Sequence, residues 1–159
     1  EHAGKDCQKE WIASIAKALK PGGIGFISTS SHMRRLPMEY LFAKYIFPGA
    51  YVPSIAEILE LMEDYGLNVV DMESMRYHYH LTLEHWYRRF LGNWHKIEKL
   101  NPKLFNERFK RMWIVYLGGA AETFKAEHQK FDAFHIVFTK GRSEKYYPAN
   151  RNFLYSINK

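Results

Sequence analysis

The period of the apolar residues changes several times along this chain, and this change restricts the fold more than any other feature. Apolar residues recur at helical spacing over residues 11–19, and the sequence Pro-Gly-Gly at residues 21–23 then ends that helix. A short apolar strand is predicted over residues 24–28, followed by a polar, turn-rich stretch over residues 29–37. The chain is therefore expected to begin with a helix and a strand.

The same alternation continues into the middle of the chain. Residues 38–45 are predicted to form a short helix, and a helix that begins at Ser54 is expected to end at Gly66, where a left-handed residue commonly follows a helix. Residues 67–76 then have the spacing of a strand. Helices that alternate with strands predict an α/β layer fold whose sheet is built largely of crossover units.

The alternation breaks in the second half of the chain. Residues 81–100 have helical spacing, and Asn101-Pro102 is predicted to start a second, long helix that reaches about Glu127. Residues 131–140 alternate as a closing strand, with Phe134, Ile136 and Phe138 on one face. We therefore predict one domain over residues 1–140, with a helical insertion at about residues 80–127, and a tail over residues 141–159.

Residues 44–54 form a stiff hinge between the short helix and the helix that starts at Ser54. Pro48 and Pro53 fix the backbone, and Gly49 can take the positive φ of a tight turn. Ser54 and Glu57 have the spacing of a capping box. The aromatic side chains of this hinge suit either the wall of an apolar ligand site or a well-packed connector, and the segment by itself does not decide between them.

The inserted helices are the predicted location of a substrate pocket, because their aromatic residues could face each other across a tunnel. Gly118 and Gly119 lie in the middle of the long helix, where each glycine costs about 1 kcal/mol relative to alanine. They indicate a close approach of another group, tight helix packing or a local kink.

Composition limits the partners of the chain. It is 47% hydrophobic and carries a formal charge of +6, with a pI near 9.3, which favours an anionic partner. The basic residues are scattered among acidic ones without a nucleic-acid motif, so they indicate lipid head groups or an ordinary solvated surface rather than nucleic acid. No apolar run is long enough to span a bilayer. The single cysteine, Cys7, has no partner for an internal disulfide.

Four sequence segments occur in an order that is more specific than any one of them. Residues 1–4 read Glu-His-Ala-Gly, the hinge contains Phe-Pro-Gly-Ala-Tyr-Val-Pro-Ser, residues 78–86 read His-Tyr-His-Leu-Thr-Leu-Glu-His-Trp, and residues 108–117 belong to the long helix. In this order they resemble the cyclopropane-fatty-acyl-phospholipid synthases, including the mycolic acid cyclopropane synthases. Ala50 stands where that family has a second glycine. The resemblance extends from Glu1 to about Lys140.

The resemblance implies the C-terminal half of a class I S-adenosylmethionine-dependent methyltransferase, with a Rossmann-like sheet. In this family the glycine-rich loop that binds S-adenosylmethionine lies upstream of Glu1. Gly22-Gly23 precedes a strand rather than following one, so the chain is expected to bind the cofactor poorly by itself. Because it begins without methionine, we expect it to be a piece of a longer protein, and its cofactor-binding residues are unknown.

The resemblance also implies a site. Members of the family hold a bicarbonate ion with a glutamate, a histidine and a tyrosine; Glu1 and Tyr79 match the glutamate and tyrosine, and Ser28 stands at the histidine position. A serine hydroxyl can bind an anion but lacks the charge of an imidazole, which weakens the expectation of bicarbonate. His32, His78 or His80 could substitute, and no metal site is predicted. The residues that match the acyl-channel lining are Phe47, Val52, Leu83, Tyr116, Ala120 and Phe124.

The expected activity is methyl transfer to the cis double bond of an unsaturated phospholipid acyl chain, giving a cyclopropane or methyl-branched fatty acid. The alternatives are an amine N-methyltransferase of the same fold and a non-catalytic fragment that binds lipid or protein. The enzyme would be cytoplasmic, associated peripherally with the inner face of the membrane, and a homodimer is left open.

Overall fold

A computed structural model describes residues 1–126, 131–142, 147–148, 150 and 152–155 of the chain. The elements follow in the order α1 (Gln8–Ala18), β1 (Ile24–His32), a π-helical turn (Phe42–Ile46), α2 (Ile55–Asp64), β2 (Leu67–Ser74), α3 (Arg76–Leu100), α4 (Glu107–Lys125), β3 (Phe131–Lys140) and the short α5 (Asn152–Tyr155).

The three strands form one sheet in which β3 lies in the middle. β1 and β2 both pair antiparallel with β3, so they run parallel to each other, and the β1–α2–β2 connection is a crossover unit as predicted. Ile27 pairs with Ile136 on one side, and the register on the other side shifts between Val69 and Asp71, a β-bulge.

Helices α1 and α2 cover one face of the sheet and form the first hydrophobic cluster with it. Phe134, Ile136 and Phe138 of β3 point into this cluster, which confirms the predicted face of the strand. Met62 and Ile136 are completely buried. We call this the sheet cluster; its buried members are Ile12, Ala16, Ile27, Ile58, Met62, Leu67, Phe134, Ile136 and Phe138.

Helices α3 and α4 form an antiparallel hairpin that builds a second cluster with the hinge and the start of β3. This is the predicted insertion. We call its cluster the hairpin cluster; its buried members are Leu83, Tyr116, Leu117, Ala120, Ala121, Phe124 and Ala133. Partly buried aromatic rings from the hinge and from both helices surround these residues.

The hinge and the start of α2 have the predicted local structure. Gly49 has φ +83° and Gly66 has φ +66°. The Ser54 hydroxyl accepts the Glu57 N–H, and the Glu57 carboxylate accepts the Ser54 N–H at 2.8 Å. Burial alone would raise the pKa of Glu57, but the hydrogen bonds from Ser54 and Tyr51 and the charge of Arg35 together lower it. The capping box is therefore confirmed.

Several predicted boundaries are wrong. β1 continues to His32 because its polar last residues pair with β3, so the predicted turn-rich stretch begins four residues later than expected. α3 begins at Arg76, five residues earlier than predicted. Asn101 does not cap α4; the side chain of Asn106 does, accepting the N–H groups of Arg108 and Phe109.

The segment before the hinge is a π-helical turn rather than a regular helix. The Phe47 N–H donates to the Phe42 carbonyl at 2.8 Å, five residues back. This wider turn is preceded by residues 33–39, which have no helix or strand.

The two glycines in α4 do not mark a close approach. A Cβ at Gly118 would lie 3.7 Å from the Tyr87 ring, an ordinary contact, and a Cβ at Gly119 would meet nothing within 4 Å. The predicted tail falls partly outside the described residues. None of the helices in the described ranges combines the length and apolar character needed to cross a bilayer.

Candidate functional site

One cavity of about 370 Å³ lies between the α3–α4 hairpin, the hinge and the end of β1. Each of the residues that matched an acyl channel lines it, and most of them are buried: Phe47, Val52, Leu83, Tyr116, Ala120 and Phe124. Glu1 and Tyr79 line it too. Eight of the nine predicted site residues are thus brought to one place.

Aromatic rings in edge-to-face contact form much of the wall. Tyr116 meets Phe42 at 5.5 Å and Phe47 at 5.6 Å between ring centroids, and Tyr79 meets Phe124 at 4.8 Å. Such pairs hold their rings at fixed angles and are worth about 0.5–1.5 kcal/mol beyond their burial. The wall is apolar and fixed in shape, which suits a hydrocarbon chain.

Glu1 is held against the outer edge of β1. Its carboxylate accepts the Thr29 hydroxyl and the Ser30 N–H, and its backbone carbonyl accepts the Tyr51 N–H at 3.0 Å. Gly4 at φ +77° brings the same segment close to the hinge, since a Cβ there would lie 3.1 Å from the Gly49 carbonyl. The carboxylate is therefore positioned by the sheet and by the hinge together.

The two tyrosines of the wall have raised pKa values. Burial, followed by the negative charge of Glu1, raises the pKa of Tyr79. Burial and the neighbouring Tyr79 raise the pKa of Tyr116 to about 12. Both phenols are therefore neutral near pH 7, and each can donate one hydrogen bond into the cavity.

Ser28 is the predicted residue that does not reach the cavity. Residues 28, 30 and 32 alternate onto one face of β1, and the cavity is lined by Ser30 and His32 while Ser28 is exposed opposite His135. Along a strand, Ser28 and His32 are about 13 Å apart. A catalytic role for Ser28 stays a prediction.

His32 is the imidazole that β1 brings to this cavity. Its ring meets the Phe131 ring at 5.2 Å, and its backbone N–H donates to the Pro53 carbonyl at 3.0 Å. The sequence named His32 only as one of three substitutes for the family histidine. Strand alternation from Ser28 would have favoured it, had the strand been predicted to continue past Ser28.

The other two histidines do not form a site. His78 and His80 lie on helix α3, not on a strand, and His80 is buried with its Nδ1 3.0 Å from the Ala121 carbonyl. This contact ties α3 to α4. Among the residues that the structure describes, no group of three His, Cys, Asp or Glu side chains could hold a metal ion.

The sequence prediction missed a further part of the cavity lining. Leu36, Pro37 and Met38 from the stretch before the π-helical turn and Phe42, its first residue, also line the cavity. Leu36 and Pro37 lie in the predicted turn-rich stretch and Met38 and Phe42 in the predicted short helix, and neither pattern marks a cavity wall.

The described residues do not provide a nucleotide-type cofactor loop. The connection from β1 to α2 contains a single glycine, Gly49, and β2 runs almost directly into α3. No described strand therefore leads through a glycine-rich loop into a helix, the arrangement that would hold an adenosine cofactor.

Comparison with known proteins settles the family. The model of the mycolic acid cyclopropane synthetase family matches residues 1–134. The chain belongs to this family. The cyclopropane-fatty-acyl-phospholipid synthase of Escherichia coli K12 is 32% identical to it over 142 residues, which cover 89% of the chain and 35% of that protein. A tuberculostearic acid methyltransferase of Mycobacterium tuberculosis is 33% identical over 132 residues, 79% of the chain and 30% of that protein.

Solved structures agree on the fold of this family member. The cyclopropane synthase MmaA2 of Mycobacterium tuberculosis matches with a TM-score of 0.77 at 23% identity, covering 88% of the chain and 52% of that structure. The mycolic acid cyclopropane synthase CmaA1, complexed with SAH and CTAB, matches with a TM-score of 0.76 at 24% identity over the same shares. The chain has the α/β fold of class I S-adenosylmethionine-dependent methyltransferases. It spans about a third of the length of the first two curated relatives.

Proposed function

We propose that this protein transfers a methyl group from S-adenosylmethionine to the cis double bond of an unsaturated phospholipid acyl chain, giving a cyclopropane or methyl-branched fatty acid. The observation that carries the proposal is the cavity in which an aromatic wall meets Glu1 and Tyr79. Its apolar wall suits the acyl chain, and its polar end suits a proton acceptor beside the double bond. The names of the family and of its relatives give the reaction type.

The wall has two tasks in this reaction. Methyl addition to a double bond leaves a carbocation on the acyl chain, and a water-excluding cavity protects that cation from capture. The faces of Phe47, Tyr116 and Phe124 can also stabilise it by cation–π attraction, worth up to about 2 kcal/mol in a desolvated site. Leu83, Val52 and Ala120 complete the apolar lining.

The polar end would bind bicarbonate, which takes the proton lost when the ring closes. Bicarbonate carries one O–H, which can donate to the Glu1 carboxylate, and its remaining oxygens can accept from the neutral Tyr79 phenol and from His32. On this proposal His32 supplies the imidazole that the family histidine would provide, because Ser28 stands at that histidine's position. Replacing His32 with asparagine should therefore raise the bicarbonate concentration needed for half-maximal rate, while His78→Asn, on the same chain but outside the cavity, should not change it.

S-adenosylmethionine supplies the methyl group when it is bound. The described residues lack the loop that would hold it, so the proposal leaves its binding to a part of the protein outside this chain, as the family resemblance implies. The part played by the described residues is to bind the acyl chain, to exclude water and to hold the proton acceptor.

We place the substrate at a membrane surface on the cytoplasmic side. The net charge of +6 supports an anionic partner such as a phospholipid surface, while the formation of a homodimer stays a prediction. An amine acceptor is less well supported, because the cavity wall is dominated by apolar and aromatic side chains.

The test uses the complete gene product with radiolabelled S-adenosylmethionine and vesicles of unsaturated phospholipid. We expect label in the acyl chains, and Tyr79→Phe should lower turnover by roughly 100-fold, the usual scale for a residue that assists proton transfer. Tyr87→Phe is the matched control, since Tyr87 packs in the same helix pair without lining the cavity. Absence of label from the lipid would rule out the proposal and favour the non-catalytic alternative.

Ser28 is tested separately. If it contributes to the anion site, Ser28→His should lower the bicarbonate requirement. An unchanged requirement would remove Ser28 from the site and leave the imidazole role to His32.

A further inference from the structure

The connection between α3 and α4 exposes two leucines at the far end of the helix hairpin. Leu100, the last residue of α3, is 78% exposed, and Leu104 in the following loop is 55% exposed. Single exposed apolar residues are common on protein surfaces. Two large ones at a projecting end are costly in water and suggest that this end is covered when the protein works.

Basic side chains surround these leucines. Residues 96–111, which we call the hairpin tip, contain six basic and two acidic side chains, so they carry +4 of the +6 formal charge of the whole chain. Lys99 and Lys103 flank Leu100 and are exposed. Apolar residues among lysines have the chemistry of a surface that meets an anionic bilayer, where the charge attracts head groups and the leucines enter the acyl region.

The hairpin tip is held rigidly by aromatic stacking. Trp94 of α3 stacks on Phe109 of α4 at 6.4 Å, and Phe90 stacks on Trp113 at 6.2 Å. The Lys110 ammonium lies 5.4 Å from the centre of the Trp94 ring. The leucines are therefore presented on a stiff support.

An aromatic ladder along α4 connects the hairpin tip to the cavity. Phe105 contacts Phe109 at 5.1 Å, Phe109 contacts Trp113 at 5.7 Å, and Trp113 contacts Tyr116 in the cavity wall at 5.5 Å. Phe105 precedes α4, and Phe109, Trp113 and Tyr116 follow along one side of the helix at spacings of four and three residues. The ladder joins the hairpin tip to the cavity wall by continuous ring contacts.

We propose that the hairpin tip is the surface by which this protein docks on an anionic phospholipid bilayer, with Leu100 and Leu104 inserted and Lys99 and Lys103 at the head groups. This proposal rests on the phospholipid substrate proposed above and identifies the part of the molecule that reaches it. The bilayer is favoured over a protein partner because apolar residues and positive charge are combined at one projecting, rigid end.

The test measures vesicle flotation of the complete gene product with vesicles of phosphatidylcholine containing about a third phosphatidylglycerol. Leu100→Ser with Leu104→Ser should lower the bound fraction at least about tenfold, because two leucines no longer enter the bilayer. Lys99→Gln with Lys103→Gln should lower it about tenfold at low salt and much less at high salt.

Matched controls lie elsewhere on the surface. Val115→Ser changes an equally exposed apolar residue of α4, 56% exposed, and Lys17→Gln with Lys20→Gln removes two exposed charges at the end of α1. Both should leave vesicle binding unchanged. Circular dichroism and thermal unfolding of each variant establish that the fold is intact, since the altered side chains are exposed.

The outcomes separate this proposal from the proposed activity. Tip variants should keep normal turnover on unsaturated lipid dispersed in detergent, where no bilayer has to be reached. If they bind vesicles as well as the unaltered protein, the docking surface is wrong while the activity stands. Strong vesicle binding without methyl transfer in either lipid form would overturn the activity and leave the docking surface standing. If sedimentation shows that the leucine variants lose self-association and keep vesicle binding, the tip is a dimer contact instead.

Discussion

The sheet cluster and the hairpin cluster differ in how closely their side chains are packed. In the sheet cluster, aliphatic side chains from α1 and α2 pack closely against Phe134, Ile136 and Phe138 of β3, and Met62 and Ile136 have no exposed surface. In the hairpin cluster, aromatic rings meet edge to face around a cavity of about 370 Å³. The first arrangement gains the most from close packing. The second arrangement is stabilised less by close packing, because it keeps a cavity of defined shape.

The residue types explain the difference. The hairpin cluster contains three buried alanines, Ala120, Ala121 and Ala133, and Ala120 is at the cavity wall. Small side chains next to the cavity leave space that the neighbouring aromatic rings do not fill. Buried side chains therefore mainly stabilise the fold in the sheet cluster, whereas in the hairpin cluster they also define the shape of the cavity.

The largest expected effect comes from opening the sheet cluster. Ile136→Ala should lower the free energy of unfolding by about 2–5 kcal/mol, because it removes a fully buried side chain and leaves a void. Urea denaturation measures this, with Val115→Ala on the exposed face of α4 as the control. A loss below about 1 kcal/mol would show that the sheet cluster is not closely packed.

Equal enlargement of one alanine in each cluster tests the comparison directly. Ala16→Leu in the sheet cluster should cost about 1–3 kcal/mol by overpacking. Ala120→Leu should cost less than about 0.5 kcal/mol, since the cavity has room for it, but it should sharply weaken the binding of a fluorescent fatty acid. If both variants lose the same stability, the cavity is not open in solution.

A third prediction concerns the start of α2, the helix that closes the sheet cluster. Ser54→Ala removes the N-cap hydroxyl and should lower stability by about 1 kcal/mol. Ser14→Ala, whose hydroxyl bonds to a carbonyl within the exposed face of α1, is the control and should change stability much less. Thermal unfolding of the two variants measures this, and an equal loss of stability in Ser54→Ala and Ser14→Ala would contradict the capping argument.

The last prediction is a pH dependence confined to the hairpin cluster. Burial and the neighbouring Tyr79 raise the pKa of Tyr116 to about 12, above the value near 10 expected in the unfolded chain. The folded state therefore favours the neutral phenol. Its contribution to stability is present below pH 10 and should be lost as the pH rises from about 10 to 12. Urea midpoints across this range should fall more for the unaltered protein than for Tyr116→Phe; equal slopes would contradict the assignment.

Local signals predicted the sheet side of the molecule well. The Ser54–Glu57 spacing gave the start of α2 because both partners of the capping box are close in sequence, and the alternation from Phe134 to Phe138 gave the buried face of β3. These features depend on neighbours along the chain, so a sequence reveals them. The cavity residues came instead from the resemblance to a family, since no period distinguishes a cavity wall from a packed core.

Features that depend on distant partners were missed. The polar end of β1 is a strand because His32 pairs with Phe131, almost a hundred residues later. The first turns of α3 lack an apolar period and are held by contacts such as Tyr79 with Phe124 on α4. The Asn101-Pro102 pair lies in a turn, and α4 starts after Asn106, which no proline marks.

The π-helical turn at Phe42–Ile46 offers a way to vary the width of the cavity without changing any wall residue. A turn closed over five residues holds one residue more than an α-helical turn, so everything before it is rotated by about 100° relative to the hinge. Deleting a single residue there would restore a regular helix and swing Phe42 away from Tyr116. A one-codon change in length, rather than a substitution, is thus a route by which related proteins could come to accept acyl chains of different bulk.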